Sequence, residues 1–71
     1  MKYAVIQTVN GNFSIASEHG ENKIGAIVAF HNLCAALWND TGDVEAVVKL
    51  VDTNQDVVDG HVEFINHEAT N

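Results

Sequence analysis

The 71-residue chain has no proline and no arginine, and it holds one cysteine, one tryptophan, one tyrosine and three lysines against ten acidic residues. Each scarcity excludes something. With Cys34 alone there is no internal disulfide, and a single thiol fits a reducing compartment. Without arginine, and at a formal net charge of -7, the chain lacks the basic footprint that neutralises phosphates, which excludes direct nucleic-acid binding. The start, MKYAVIQTVNGN, shows no basic segment leading into a long apolar run and a cleavage site, and no stretch is long enough to span a bilayer. The expectation is a soluble, cytoplasmic protein with no membrane partner.

The enzyme templates are missing together. Gly11, Gly20, Gly25, Gly42 and Gly60 are scattered rather than clustered as a phosphate cradle requires, and no serine, histidine and aspartate stand at an informative spacing. His19, His31, His61 and His67 match no metal-site spacing. The chain is therefore read as non-enzymatic, with no cofactor, no metal and no catalytic residue.

What is present is a globular composition, 46% hydrophobic, in a chain that buries only about 60% of its unfolded surface. Dimerisation is the remaining staple for so small a core. The charge is divided unequally: Lys2 and Lys23 cancel Glu18 and Glu21, so the half from residue 40 onward carries the whole excess. An acidic half of this kind suits a basic protein surface.

Residues 2–18 read as a hairpin, because Asn10-Gly11 tolerates the positive φ that a type I′ turn needs at both central positions. A two-residue turn sets Val9 against Asn12, Thr8 against Phe13, Ile6 against Ile15 and Ala4 against Ser17. Apolar residues then recur at helical spacing through Ile27, Phe30, Cys34 and Leu37, with Asn22 as N-cap and Asn39 to Gly42 as the stop. Gly25, Ala29, Asn32 and Ala36 form a stripe of small residues on the far side, and Lys23 is the one charge from 22 to 39.

Residues 44–65 carry both a helical and a strand pattern. The valines at 44, 47, 48, 51, 57, 58 and 62 favour strands. A second hairpin results, with strands near 44–51 and 57–65 that place Leu50 opposite Val58, Ala46 opposite Val62, Val44 opposite Phe64 and Lys49 opposite Asp59. The predicted fold is α+β in the order ββαββ: a four-stranded antiparallel sheet with one helix packed on one face. Residues 1–66 form a single domain and 67–71 a frayed polar tail.

Within the stretch DTNQDVVDGHVEF, Asp52, Asn54, Asp56 and Glu63, followed by Phe64, resemble the EF-hand calcium loop, D-x-[DN]-x-[DN]-G-x5-E. The resemblance implies calcium held by those oxygens between two helices. It departs from the family at Val57, which stands in the place of the invariant glycine, and at Asp59, where the family has an apolar residue. Strands on both sides favour an acidic hairpin turn. His31 and Cys34, at i and i+3, are close enough to share a metal, and the simpler reading makes Cys34 a core residue.

Covering the sheet with the helix assigns Ala4, Ile6, Phe13, Ile15, Val44, Ala46, Val48, Leu50, Val62 and Phe64 to the core. The opposite face then carries the expected binding residues Tyr3, Val5, Val9, Val47, Val51, His61 and Ile65, too much apolar surface for a monomer. The functional expectation is a small acidic protein-interaction module that also binds another protein, a homodimer through this face, with a helix-to-helix contact along Gly25, Ala29, Asn32 and Ala36 as the rival geometry. One alternative is an inhibitor of the mobile-element type whose acidic half mimics nucleic acid on a basic protein surface. Another is a calcium or small-ligand sensor using the 52–63 loop.

Overall fold

A computed structural model describes residues 1–70. Asn10 and Gly11 take φ of 50° and 84°, as the mirror-image turn demands, and join β1 (Tyr3–Val9) to β2 (Asn12–Gly20). Helix α1 (Lys23–Asn39) follows, then β3 (Val44–Asp52) and β4 (Val57–His67). The sheet is antiparallel in the order β2-β1-β3-β4, with α1 packed against it. This is the ββαββ domain that patterning predicts.

The helix begins where its capping chemistry places it, with the Asn22 side-chain oxygen accepting from the Gly25 N–H at 2.9 Å. Ala26, Phe30 and Cys34 are buried at i, i+4 and i+8, and Ile27, Leu33 and Leu37 flank them. The sheet contributes Val5, Val44, Ala46, Val48, Leu50, Val58 and Ile65 to the same core. At the far end the Asp40 N–H reaches the Leu37 carbonyl, and the Asp40 carboxylate accepts from Gly42 N–H at 2.8 Å, turning the chain into β3.

The structure differs from expectation in which side of three strands meets the helix. β3 is as predicted. β1 pairs Val5 with Leu50 and Val9 with Ala46, so Tyr3, Val5 and Val9 join the covered face while Ala4 and Ile6, with Phe13 and Ile15 of β2, turn outward. In β4 the cause is a bulge. Near the hairpin turn Val51 pairs with Val57, but farther along Lys49 pairs with Val62, Val47 with Phe64 and Ala46 with Ile65.

That is three residues out of step with uninterrupted pairing, and an odd slip moves every following side chain to the other face. Asp59 and Gly60, at φ of 50° and 71°, absorb the extra length. Val58 and Ile65 therefore enter the core, and Val62 and Phe64 leave it. A register shift in β2 likewise sets Ala4 against Glu18 rather than Ser17.

Two further expectations are corrected. Asp59 pairs not with Lys49 but with Lys23 at the start of α1, at 2.7 Å. The segment after residue 66 is also tied down: β4 runs on to His67, Ala69 N–H donates to the Asp43 carboxylate at 2.7 Å and Thr70 N–H to the Thr41 carbonyl at 3.0 Å. Asn71, the end of the expected tail, lies outside the described residues.

Candidate interaction face

Of the seven residues expected to form a binding face, five lie on the side that α1 covers. Val5 and Ile65 are core residues, Tyr3 and Val9 pack against that core, and His61 is half-buried with its Nδ1 donating to the Val58 carbonyl at 2.8 Å. Val47 and Val51 alone belong to the uncovered face. The correction follows from the parity of β1 and the bulge in β4, not from a different fold.

The uncovered face is a grid of cross-strand rungs. One rung runs Phe13, Thr8, Val47, Phe64 across β2, β1, β3 and β4; the next runs Ile15, Ile6, Lys49, Val62; a third runs Glu18, Ala4, Val51, Val57. Phe13, Ile15, Val57, Val62 and Phe64 are between 38% and 75% exposed. The two phenylalanines stand at opposite edges with the smaller Thr8 and Val47 between them. A groove of about 450 Å³ lies alongside, lined by Ala4, Ile6, Phe13, Ile15, Val51 and Val57 with Lys49, Asp52 and Gln55. No family model matches the chain, and no curated protein or solved structure matches it either.

The covered side holds the polar chemistry. Burial, with the nearby Glu63 carboxylate, pushes the Cys34 thiol up to about 11, because a thiolate there would be both desolvated and repelled. Glu63 also accepts from the Trp38 indole N–H at 2.7 Å, and Trp38 stacks on His67 with ring centroids 5.9 Å apart. His67 donates to the carbonyls of Leu37, at 2.9 Å, and Glu68, at 3.3 Å. Donation from both ring nitrogens favours the imidazolium, and those two carbonyls raise the His67 pKa.

Cys34 and His31 turn toward different neighbours. Cys34 faces Glu63, while the exposed His31 makes edge contacts with Phe30 and His61, at centroid distances of 5.2 and 5.6 Å.

The resemblance to a calcium loop dissolves in three dimensions. The Asp52 carboxylate turns inward on its own loop, accepting from Asn54 N–H at 2.8 Å and Asp56 N–H at 3.2 Å. Glu63 lies mid-strand in β4 opposite Val48, hydrogen-bonded to Trp38. The acids do not form one stripe either. Asp43, Glu45 and Glu68 line a recess at one end of β3, and Asp52 and Asp56 occupy the turn at its other end.

Phe13, Ile15, Val62 and Phe64, assigned to the core from the sequence, are thus the exposed residues. For Val62 and Phe64, Asp59-Gly60 is the local signal that pointed to this, since a glycine inside a strand marks a bulge.

Proposed function

We propose that the chain is a small non-enzymatic protein-interaction module that works as a homodimer, two copies meeting through the uncovered sheet face. The observation that carries this reading is the largely apolar grid spanned by Phe13, Ile15, Val57, Val62 and Phe64, with Lys49 within it. Taking about 200 Å² for a phenylalanine and less for the aliphatic residues, the exposed side chains present roughly 500 Å² of apolar surface. Homodimer interfaces are about 65% apolar, so this area corresponds to about 800 Å² per partner, the size of a standard stable interface.

Charge favours a second copy in a defined arrangement. Lys49 is the one cation on the three rungs, and burying it unpaired is costly. Glu18 on the third rung, and Glu45 one step beyond the first, stand toward opposite ends of the face. An off-centre twofold that sets Glu18 or Glu45 of one copy beside Lys49 of the other would pair that charge. Edge-to-edge pairing is the weaker route, because the outer strands β2 and β4 both carry register irregularities that blunt a sheet edge.

Sedimentation equilibrium at low micromolar concentration tests the reading. The expected result is a dimer, and a monomer for Phe64→Asp with an unchanged far-UV circular dichroism spectrum, since Phe64 is 75% exposed and contributes little to the fold of one chain. A wild-type monomer across the micromolar range overturns it.

A further inference from the structure

Three rings meet where the β4 bulge lies against α1. The His61 ring is 5.3 Å from Phe30 and 5.6 Å from His31, centroid to centroid, and His31 is 5.2 Å from Phe30, each pair edge to face. His31 comes from the helix and His61 from a strand, so no short-range spacing announces the pair. The fold alone brings them together.

Hydrogen bonding decides which ring nitrogens are available. His61 Nδ1 donates to the Val58 carbonyl at 2.8 Å, and in the neutral ring this leaves the Nε2 lone pair unshared. A metal-binding histidine is characteristically held in this way, one ring N–H on a carbonyl and the other nitrogen directed at the ion. The exposed His31 makes ring contacts but no hydrogen bond among the described residues, so either of its nitrogens can serve.

We propose that His31 and His61 form a two-histidine site for a divalent transition-metal cation of the zinc, nickel and copper class, with water completing the coordination. Imidazole is a ligand that suits these ions. An ion bound at about 2.0–2.1 Å by one nitrogen of each ring sets the centroids roughly 5 Å apart at a tetrahedral angle. The observed 5.6 Å closes to that with a small turn of the exposed His31 ring. No third His, Cys, Asp or Glu joins the pair among the described residues. The protein therefore supplies two ligands and leaves positions open, and it binds the ion more weakly than a closed four-ligand site.

The surroundings favour a cation. Phe30 abuts both rings and restrains them before the ion arrives. The Lys23–Asp59 pair at the same junction of helix and bulge is neutral as a unit, its charges 2.7 Å apart, and the chain as a whole carries -7, a field that draws cations. Bound there, the ion ties α1 to the bulge that turns Val62 and Phe64 outward. The site stands on its own geometry and does not depend on the dimer.

The test is calorimetric titration of zinc chloride into wild type, His31→Gln and His61→Asn at neutral pH, with urea melts in the presence and absence of zinc. Asparagine at 61 keeps a donor near the Nδ1 position for the Val58 carbonyl and removes Nε2. The expected result is one zinc per chain in wild type, and an affinity at least about tenfold lower in either variant, since losing even an outer partner of a ligand costs about 10–100-fold. Zinc should raise the urea midpoint of wild type and not of the variants. Wild-type affinity should also fall on acidification, because the ion displaces protons from imidazole.

Zinc bound equally by wild type and variants lies on the acids or on His19 or His67 and overturns the site. A loss in only one of two folded variants overturns the pair, and so does a wild type without saturable binding. If His61→Asn changes the circular dichroism spectrum, the exposed His31→Gln decides alone.

Discussion

Single side chains on the covered side act as fasteners. Cys34 is 4% exposed, and its thiol is pushed up to about 11 by burial and by the Glu63 carboxylate. A thiolate is the reactive species, so Cys34 is expected to resist a thiol reagent at neutral pH and to react only as the chain opens. The check is a labelling rate in native buffer against the rate in denaturant; fast native labelling contradicts the packing described.

His67 works through charge at the last turn of α1. Its pKa is raised from 6.5 by the Leu37 and Glu68 carbonyls, so the folded state holds the proton more tightly than the unfolded one. The stabilisation is complete below pH 6.5 and is lost as pH rises above 6.5 through the folded-state pKa. Urea midpoints measured on both sides of that window should fall with rising pH, and His67→Gln should flatten that part of the profile.

At the scale of the element, the start of α1 couples two residues. Asn22 caps the Gly25 N–H, and Asn22→Ala is expected to cost about 1 kcal/mol in a urea melt. A Cβ at Gly25 would meet the Asn22 amide nitrogen at 2.5 Å. Gly25→Ala alone should therefore gain nothing despite a helix preference worth up to ~1 kcal/mol. In the Asn22→Ala background the same change should stabilise, and a double-mutant cycle reads that sign reversal. The β4 bulge is the second such element: Gly60 sits at φ of 71°, where a side chain is strained, so Gly60→Val should cost about 1–2 kcal/mol.

At the scale of the whole molecule, the chain has one thin core on one side of its sheet, and the proposed dimer would cover the other. If the uncovered face closes against a second copy, the melting temperature must rise with protein concentration, by mass action. The Phe64→Asp variant should melt lower and at a temperature independent of concentration. Differential scanning calorimetry over a hundredfold concentration range distinguishes the two behaviours.

Local rules account for the elements and their order. Asn10-Gly11 places the first turn, Asn22 starts the helix, the spacing of Ile27, Phe30, Cys34 and Leu37 selects its inner side, and the valines of β3 make a strand whose alternation names its own buried face. These are short-range preferences that a sequence displays directly. The identity of the candidate interaction face depends on pairings between distant strands. Val5 against Leu50 and the three-residue slip absorbed at Asp59 and Gly60 are facts of the assembled sheet. Both faces of β1 and β4 are apolar enough to serve as core, so alternation alone left the choice open. The closing of β1 on β3, and the bulge in β4, put Val5 and Ile65 under the helix and left Phe13 and Phe64 in solvent.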